Sequence, residues 1–472
     1  MSDCRYLHAK EAATDTFVVT SRKHVNLTCQ EESRKMGKHL NSVHVSHEKH
    51  TSGCATEVMP VPESVCISMS QHIGAPCKPL VKKGDHVKVG QKIGDTDAFV
   101  SAPIHSSVSG TVKEITTIRS VAGGDDQAIV IETDGKQEVW EGIAPPEVNS
   151  MEDFIAAVRA SGIVGLGGAS FPTHIKLNPK NLDEVDTLIL NGAECEPFIT
   201  SDHRLMLENT SFIIDGALVI MKYLDLKQCF IGVEDNKMDA IEKLREEIRN
   251  RGHENDIQVK VLKSSYPQGA ERVLVYECTG KTLNAGVLPA QVGVVLSNIT
   301  TVAFIGQYMK TGRPLTTKRI TVDGNAVAEP KNIIVPIGAR IADVVKACGG
   351  YKAEPKKILM GGPMMGRAIF SDSLPIVKNN NAILIFDGPQ AMIPEETGCI
   401  KCGMCTRACP FNLMPVYLSD AYEAKDADRL DKLRVMQCME CGSCSYVCPA
   451  RRPLGFTNKM AKGFLKEAQS NG

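Results

Sequence analysis

The sequence predicts a multidomain fold: a β-rich module, an α/β domain wound on a mostly parallel sheet, a smaller mixed unit, and a helical C-terminal module built around cysteines. Three observations carry this. Short β segments punctuated by glycine occupy residues 65–133, and apolar strands alternate with amphipathic helices from 151 to about 315. Near the C-terminus the spacing C-x2-C-x2-C-x3-C-P occurs twice, at Cys399, Cys402, Cys405, Cys409 and Pro410 and again at Cys438, Cys441, Cys444, Cys448 and Pro449.

Length and composition set outer limits. At ~100–200 residues per domain, 472 residues make three or four domains. Lysine plus arginine total 54 against 55 acids, so the net charge of −1 argues against a nucleic-acid partner. Hydrophobic residues at 43% suffice for packed cores, and no apolar run is long enough to span a bilayer. The start has no basic-then-apolar signal, so the 17 cysteines read as reduced thiols. Nine lie outside the two runs, and Cys229, Cys278 and Cys348 sit in apolar context as small hydrophobes.

In chain order, residues 1–60 read as a flexible leader with little periodicity. Seven of the 12 histidines fall in or near it, at His8, His24, His39, His44, His47, His50 and then His72, in no defensible metal-site spacing. Residues 61–135 contain Val81-Lys-Lys-Gly84-Asp85 and Ser101-Ala-Pro-Ile-His105-Ser-Ser-Val-Ser-Gly110-Thr-Val112, which resemble the barrel-sandwich fold of biotinyl and lipoyl carriers. Carriers present a modifiable lysine on the connecting hairpin. Asp97-Ala-Phe99-Val-Ser-Ala-Pro has none, so this module is expected to be structural.

Residues 140–315 open with a helix from Met151 to Ser161, capped by Ser150 and acidic in its first turn. Leu188-Ile-Leu190, Phe230-Ile-Gly-Val233 and Val259-Lys-Val-Leu262 read as buried strands, with helices at 211–223 and 237–251 between them. Such alternation implies a parallel sheet with ligands at the carboxyl ends of its strands. A glycine-rich loop, Gly162-Ile-Val-Gly165-Leu-Gly167-Gly168-Ala-Ser-Phe171, precedes Lys176; its bare backbone suits a phosphate, although it matches neither G-x-G-x-x-G nor Walker A. Asn191-Gly-Ala-Glu194-Cys-Glu196-Pro197 follows a strand and brings carboxylates and an amide.

Residues 316–388 read as strands around Arg319-Ile-Thr-Val322 and Ile333-Ile-Val335, a helix from Arg340 to Cys348, and a loop Gly361-Gly362-Pro363-Met-Met-Gly366. The Met pair reads as gap filler. Residues 389–472 hold the cysteine runs. Three close thiolates wrap one corner of a cubane while the cysteine before proline serves the other cluster. That gives one [4Fe-4S] cluster to Cys399, Cys402, Cys405 and Cys448 and the other to Cys438, Cys441, Cys444 and Cys409. Zinc knuckles show paired C-x2-C rather than two identical four-cysteine runs. Two short helices are expected between the runs. A last helix from about Phe456 to Ala468 carries Lys459, Lys462 and Lys466, read as a solvated end rather than a docking face.

Taken together, Gly165-Leu-Gly-Gly-Ala-Ser-Phe-Pro-Thr, Asn191-Gly-Ala-Glu-Cys-Glu-Pro, Tyr266-Pro-Gln-Gly269-Ala-Glu271 and Asn298-Ile-Thr-Thr301 resemble the FMN and NADH region of the flavoprotein of respiratory complex I. The whole domain order over residues 60–465 resembles the RnfC proteins of Rnf complexes, which are membrane ferredoxin:NAD oxidoreductases. The resemblance implies a soluble-ligand-binding β-grasp domain at 316–388. It also implies FMN lined by Gly165, Gly167, Gly168, Lys176, Asn191, Asn298 and Thr301, with Glu194, Glu196 and Glu271 facing flavin or NAD(H). As partners it implies the A, B, D, E and G components of the complex and, indirectly, ferredoxin, with the chain peripheral on the cytoplasmic side of the cell membrane. The sequence departs at Leu166, where complex I has arginine, at Leu177-Asn178-Pro179, which replaces an aromatic pair, and at Asn41-Ser-Val-His44-Val45, where RnfC proteins carry Gly-Gly-x-His-Pro. A soluble reductase of the cobalamin or proline-reductase-linked kind shares these domains. A non-catalytic scaffold does not need the cysteines or the glycine loop.

Overall fold

The Met151–Ala160 helix shows how closely local chemistry fixes the framework. Ser150 accepts from the Asp153 N–H while Asp153 accepts from the Ser150 N–H, a closed capping box, and Phe154, Ala157 and Val158 turn inward. The computed structural model to which it belongs describes residues 40–121 and 123–470. His8, His24, His39 and most of the expected leader lie outside the described residues.

Residues 41–60 differ from the expected leader. Val43 forms an antiparallel bridge with Tyr266, and Glu57–Val58 is a parallel edge strand beside Lys331–Pro336. Thr51 and Thr200 share a buried hydroxyl hydrogen bond, and Asn332 donates to the Thr51 carbonyl. Val43 and Val45 pack with Tyr266, and Met59 joins the core of the six-stranded sheet, but these few apolar residues are too scattered to give a hydrophobic period.

The barrel-sandwich module pairs two antiparallel sheets. One runs in the order Ser64–Ser68, Asp125–Thr133, Gly110–Arg119, His86–Val87; the other runs Lys78–Pro79, Lys92–Asp95, Ile104–His105. Val65, Ile67, Ile93, Ile104, Val112 and Ile129 meet between them, all at most 1% exposed.

The central domain is a four-stranded parallel sheet in the order Ile257–Leu262, Gln228–Glu234, Thr187–Asn191, Val294–Asn298. Successive residues face opposite sides: Leu188 and Leu190 pack under the helices Thr210–Leu224 and Ile299–Thr311, while Ile189 packs with Leu274 of the Glu271–Thr279 helix. The chain winds outward from Thr187–Asn191 in one direction and returns on its other side at Val294–Asn298. This is the topological switch point, where the crevice of such sheets opens. There Asn191 and Asn298 stand in register at the strand ends.

The next unit is a six-stranded mixed sheet, with Thr317–Asp323 between Lys331–Pro336 and Ala382–Phe386, and the Ile341–Ala347 helix over it. The C-terminal module is helical. Pro415–Glu423, Ala427–Lys432 and Leu454–Ser470 close around Leu418, Ala421, Leu430 and Leu465.

The helices Thr210–Leu224 and Ile299–Thr311 approach so closely that a Cβ on Gly216 would stand 2.0 Å from the Val302 oxygen and one on Gly306 2.3 Å from the Phe212 oxygen. Gly216→Ala is therefore expected to cost about 1–3 kcal/mol, seen as a lower midpoint in urea unfolding. Gly463 in the last helix has nothing within 4 Å of such a Cβ, and Gly463→Ala should stabilise by up to about 1 kcal/mol, seen as a higher midpoint. Equal effects of the two changes would contradict the packing.

Candidate functional site

The glycine-rich loop leaves the Met151–Ala160 helix and runs beneath the switch point. Gly165 N–H donates to the Phe171 oxygen at 2.9 Å, and Leu166 N–H donates to the buried Thr301 hydroxyl at 3.0 Å. From Gly167 to Phe171, in and just after a turn at 166–169, none of the five N–H groups makes a well-aligned hydrogen bond to an acceptor among the described residues. Gly167, Gly168, Ala169 and Ser170 line a cleft of about 1710 Å³. A Cβ on Gly167 would stand 2.7 Å from the Asn298 amide nitrogen, whereas one on Gly168 would meet nothing within 4 Å. Unpaired backbone donors beside an open space are what an anion needs, so the residues fit the phosphate of a flavin nucleotide.

Asn298 caps its helix by accepting from Thr300 and Thr301 N–H, and its amide donates to Asp202 at 2.9 Å. Asn191 donates to the Gly269 oxygen at 2.7 Å, tying the first strand end to the 266–270 turn. Of the residues singled out from sequence, Gly167, Gly168, Asn191, Glu194, Glu196 and Asn298 line the cleft. Gly165, Lys176, Glu271 and Thr301 are not among its lining. Lys176 and Glu271 pair with each other at 2.8 Å, and Thr301 acts on the loop's backbone.

The two glutamates of the Asn191–Pro197 stretch are turned onto protein amides. Glu194, at φ 50°, accepts from Asp202 and His203 N–H at the start of the Ser201–Glu208 helix. Glu196 accepts from Met364 and Met365 N–H at 3.0 and 2.9 Å, clamping the β-grasp loop. Gly362 has to be glycine there, since its Cβ would fall 2.2 Å from the Glu196 carboxylate. Desolvation pushes the Glu196 carboxyl up to about 7. Lys49, from the segment expected to be leader, donates to the Glu194, Glu196 and Ile199 oxygens. Desolvation raises Glu194 and lowers Lys49, and each partly offsets the other. No sequence pattern points to Lys49.

The two cysteine runs fold alike. Lys401 and Glu440, two residues after the first cysteine of each run, have φ of 56° and 62°, followed by Gly403 and Gly442 at 73° and 79°. These left-handed residues turn the Lys401 and Glu440 N–H groups onto the Cys399 and Cys438 sulfurs, each at 3.4 Å. Cys409, from the first run, borders one small cavity together with Cys438, Cys441 and Cys444 of the second. Cys448 in turn packs with Cys405, while Cys399 and Cys402 are exposed. Among the described residues no group of three His, Cys, Asp or Glu side chains could hold a single metal ion. Thiolates at the corners of a cubane stand farther apart than those around one ion, so the paired sets suit clusters. Lys462 donates to the Cys438 oxygen and pairs with Glu440, so the last helix is tied to the second run rather than simply solvated.

The α/β domain and the cysteine module are bolted together. Tyr266, 1% exposed, donates its hydroxyl to the Cys441 oxygen at 2.7 Å and packs with Cys195 and Met364. Arg272 donates to Gln437 twice and lies 3.6 Å over the Phe411 ring. The same cleft that is lined by Gly167 and Asn191 is also lined by Cys448 and Tyr446.

Comparison with known proteins places this architecture. The chain is 45% identical over 79% of its length to the RnfC component of a proton-translocating ferredoxin:NAD(+) oxidoreductase complex from Clostridium ljungdahlii, covering 81% of that protein. The chain belongs to the RnfC family. A second member, the RnfC component of the Na(+)-translocating ferredoxin:NAD(+) oxidoreductase complex of Acetobacterium woodii, is 41% identical over 85% of this chain and 90% of its own. The corresponding component of the ion-translocating oxidoreductase complex of Rhodobacter capsulatus is 38% identical over 91% and 83%. Family models match an RnfC barrel sandwich hybrid domain at residues 38–136, the Nuo51 FMN-binding domain at 158–307, an SLBB domain at 319–368 and a 4Fe-4S dicluster domain at 391–449. The expected fold class is thereby borne out in all four parts. Among solved structures, an H2-reduced NAD+-reducing [NiFe]-hydrogenase chain aligns with a TM-score of 0.46 and 16% identity over 68% of this chain and 61% of its own.

The Glu196 clamp generates a pH dependence. A carboxyl that titrates near 4.5 when unfolded and near 7 when folded keeps its proton longer in the native state. Its contribution is therefore complete below pH 4.5 and is lost as pH rises through about 7. Glu196→Gln removes one of the two hydrogen bonds at every pH but abolishes this titration. Urea unfolding at pH 5, 6, 7 and 8 should show a flatter profile for the variant. Parallel profiles would mean that Glu196 is not the group that titrates.

Proposed function

We propose that this chain is the electron-transfer component of an Rnf-type ion-translocating ferredoxin:NAD oxidoreductase, exchanging electrons between NAD(H) and two [4Fe-4S] clusters by way of FMN. The observation that carries the reading is the shared cleft, which the glycine-rich loop and Asn191 line together with Cys448. FMN, when bound, takes electrons as a pair and releases them singly, which is the conversion that NAD(H) and iron–sulfur clusters require of each other. This chain's residues then have four tasks. The N–H groups of residues 167–171 hold the phosphate, and Asn191 and Asn298 set the floor at the strand ends. Glu194 and Glu196 fix the surrounding loops through amides rather than meeting the nucleotide with free carboxylates. Cys399, Cys402, Cys405 and Cys448 hold one cluster, and Cys438, Cys441, Cys444 and Cys409 the other.

Among the described residues no helix is long and apolar enough to cross a membrane. In this reading the chain is peripheral, on the cytoplasmic face, and meets the A, B, D, E and G components there, where ion movement takes place.

Two measurements test the proposal. Anaerobic NADH added to the FMN- and cluster-loaded protein should bleach flavin absorbance and bring up cluster EPR signals. If dithionite reduces the clusters and NADH leaves a bound flavin untouched, the nucleotide assignment is wrong. Crosswise ligation makes a second prediction: Cys409→Ala should remove the same EPR signal as Cys438→Ala, and Cys448→Ala the same signal as Cys399→Ala. Pairing of Cys409 with Cys399 in such spectra would refute the interlocked arrangement.

A further inference from the structure

The glycine-rich loop borders the cleft and is held at its carbonyls by the β-grasp domain, whose Asn379 lines the cleft beside it. Lys318, 4% exposed on the strand Thr317–Asp323, donates its ammonium to the Leu166 oxygen at 3.3 Å. Asn379 donates its amide to the Gly168 oxygen at 2.8 Å. Next to it Lys378, 1% exposed, donates to the Gly162 oxygen at 2.6 Å and to the Pro103 oxygen at 2.7 Å. Every donor in this set aims at a carbonyl, and each carbonyl belongs to the loop or to its barrel-sandwich neighbour.

The consequence follows from peptide geometry. In a planar trans peptide the N–H points opposite to the C=O. Drawing the Leu166 carbonyl toward Lys318 turns the N–H of Gly167 the other way, and drawing the Gly168 carbonyl toward Asn379 does the same for the N–H of Ala169. Both N–H groups belong to the run without a well-aligned protein acceptor, and both residues line the cleft. The Lys318 charge also polarises the peptide it holds, strengthening the donor on its far side.

We propose that Lys318 and Asn379 are positioning residues for the anion pocket: by holding two carbonyls of the glycine loop they aim its N–H groups into a cleft that the flavin and β-grasp domains line together. This rests on the reading that the loop receives the phosphate of FMN. The domain is then more than a spacer between flavin and clusters.

Riboflavin lacks the phosphate and separates the two ideas. Full-length protein stripped of flavin is titrated with FMN and with riboflavin by fluorescence quenching. The unaltered protein should bind FMN more tightly than riboflavin. Lys318→Met and Asn379→Ala should each weaken FMN about tenfold while leaving riboflavin unchanged, so that the preference shrinks. Asn325→Ala, which removes a bond to the Asp387 oxygen inside the β-grasp unit, should leave both flavins unaffected. If the unaltered protein shows no preference, the phosphate-loop reading itself fails and takes this inference with it. If the preference exists and survives both substitutions, or if both flavins weaken equally, the residues merely tie domains together and the inference is overturned. Should Lys318→Met fail to fold, the Asn379→Ala ratio decides alone.

Discussion

Enclosed ammonium groups on main-chain carbonyls are the interaction on which the rest of this structure depends. Lys237 reaches the Ala193 oxygen and the Glu234 carboxylate, Lys49 the oxygens of Glu194, Glu196 and Ile199, Lys318 that of Leu166, and Lys378 those of Pro103 and Gly162. These carbonyls lie in or beside the two loops of the cleft, and the lysines come from three different parts of the chain. A loop lined with glycine has little side-chain packing of its own. Its shape has to be imposed from outside, and an ammonium with three donors can gather several carbonyls at once.

Such caps are costly to build. Desolvation lowers Lys318 to about 8 and Lys378 to about 7, which measures how reluctantly each charge enters the interior. The cost is met during folding by the cores that surround them, including Ile320 and Ile383 on one side and Val164 and Leu188 on the other. A ligand arriving later then finds donors already aimed, with less ordering left to do. The junction with the cysteine module follows the same logic, since Tyr266 and Arg272 hold backbone oxygens of Cys441 and Gln437. The α/β domain and the second cysteine run are thus fixed relative to one another by bonds to main-chain oxygens as well as by the packing of Tyr266 and of Arg272 on Phe411.

Much of this is legible in the sequence where the governing contacts are local. Ser150 and Asp153 close a cap three residues apart, apolar runs at 188–190 and 230–233 can only be buried strands, and the cysteine spacing is repeated residue for residue. The left-handed residues Lys401 and Glu440 are not legible, since neither is glycine and their conformation follows from the sulfur each N–H must reach. Long-range carbonyl caps leave no period either. Lys49 is separated from its partners by about 150 residues, so it reads as one charge in a polar leader. Nor does motif position show that Lys176 and Glu271, two expected ligand contacts, pair with each other.

The glutamates show how a site can carry acids without exposing charge to a phosphate. Two carboxylates near an anion pocket would repel the ligand if both faced it. Glu194 instead sits on the amides that open the Ser201–Glu208 helix, where the positive end of the helix and the neighbouring Lys49 absorb its charge. Glu196 is turned onto Met364 and Met365 N–H, a contact that only a glycine at 362 leaves room for. Both acids therefore shape the wall while the unpaired donors stay on the glycine loop. Backbone hydrogen bonds thus keep both carboxyls on the surrounding loops and leave the donors of residues 167–171 toward the cleft, the arrangement that the proposed phosphate site requires of a near-neutral chain.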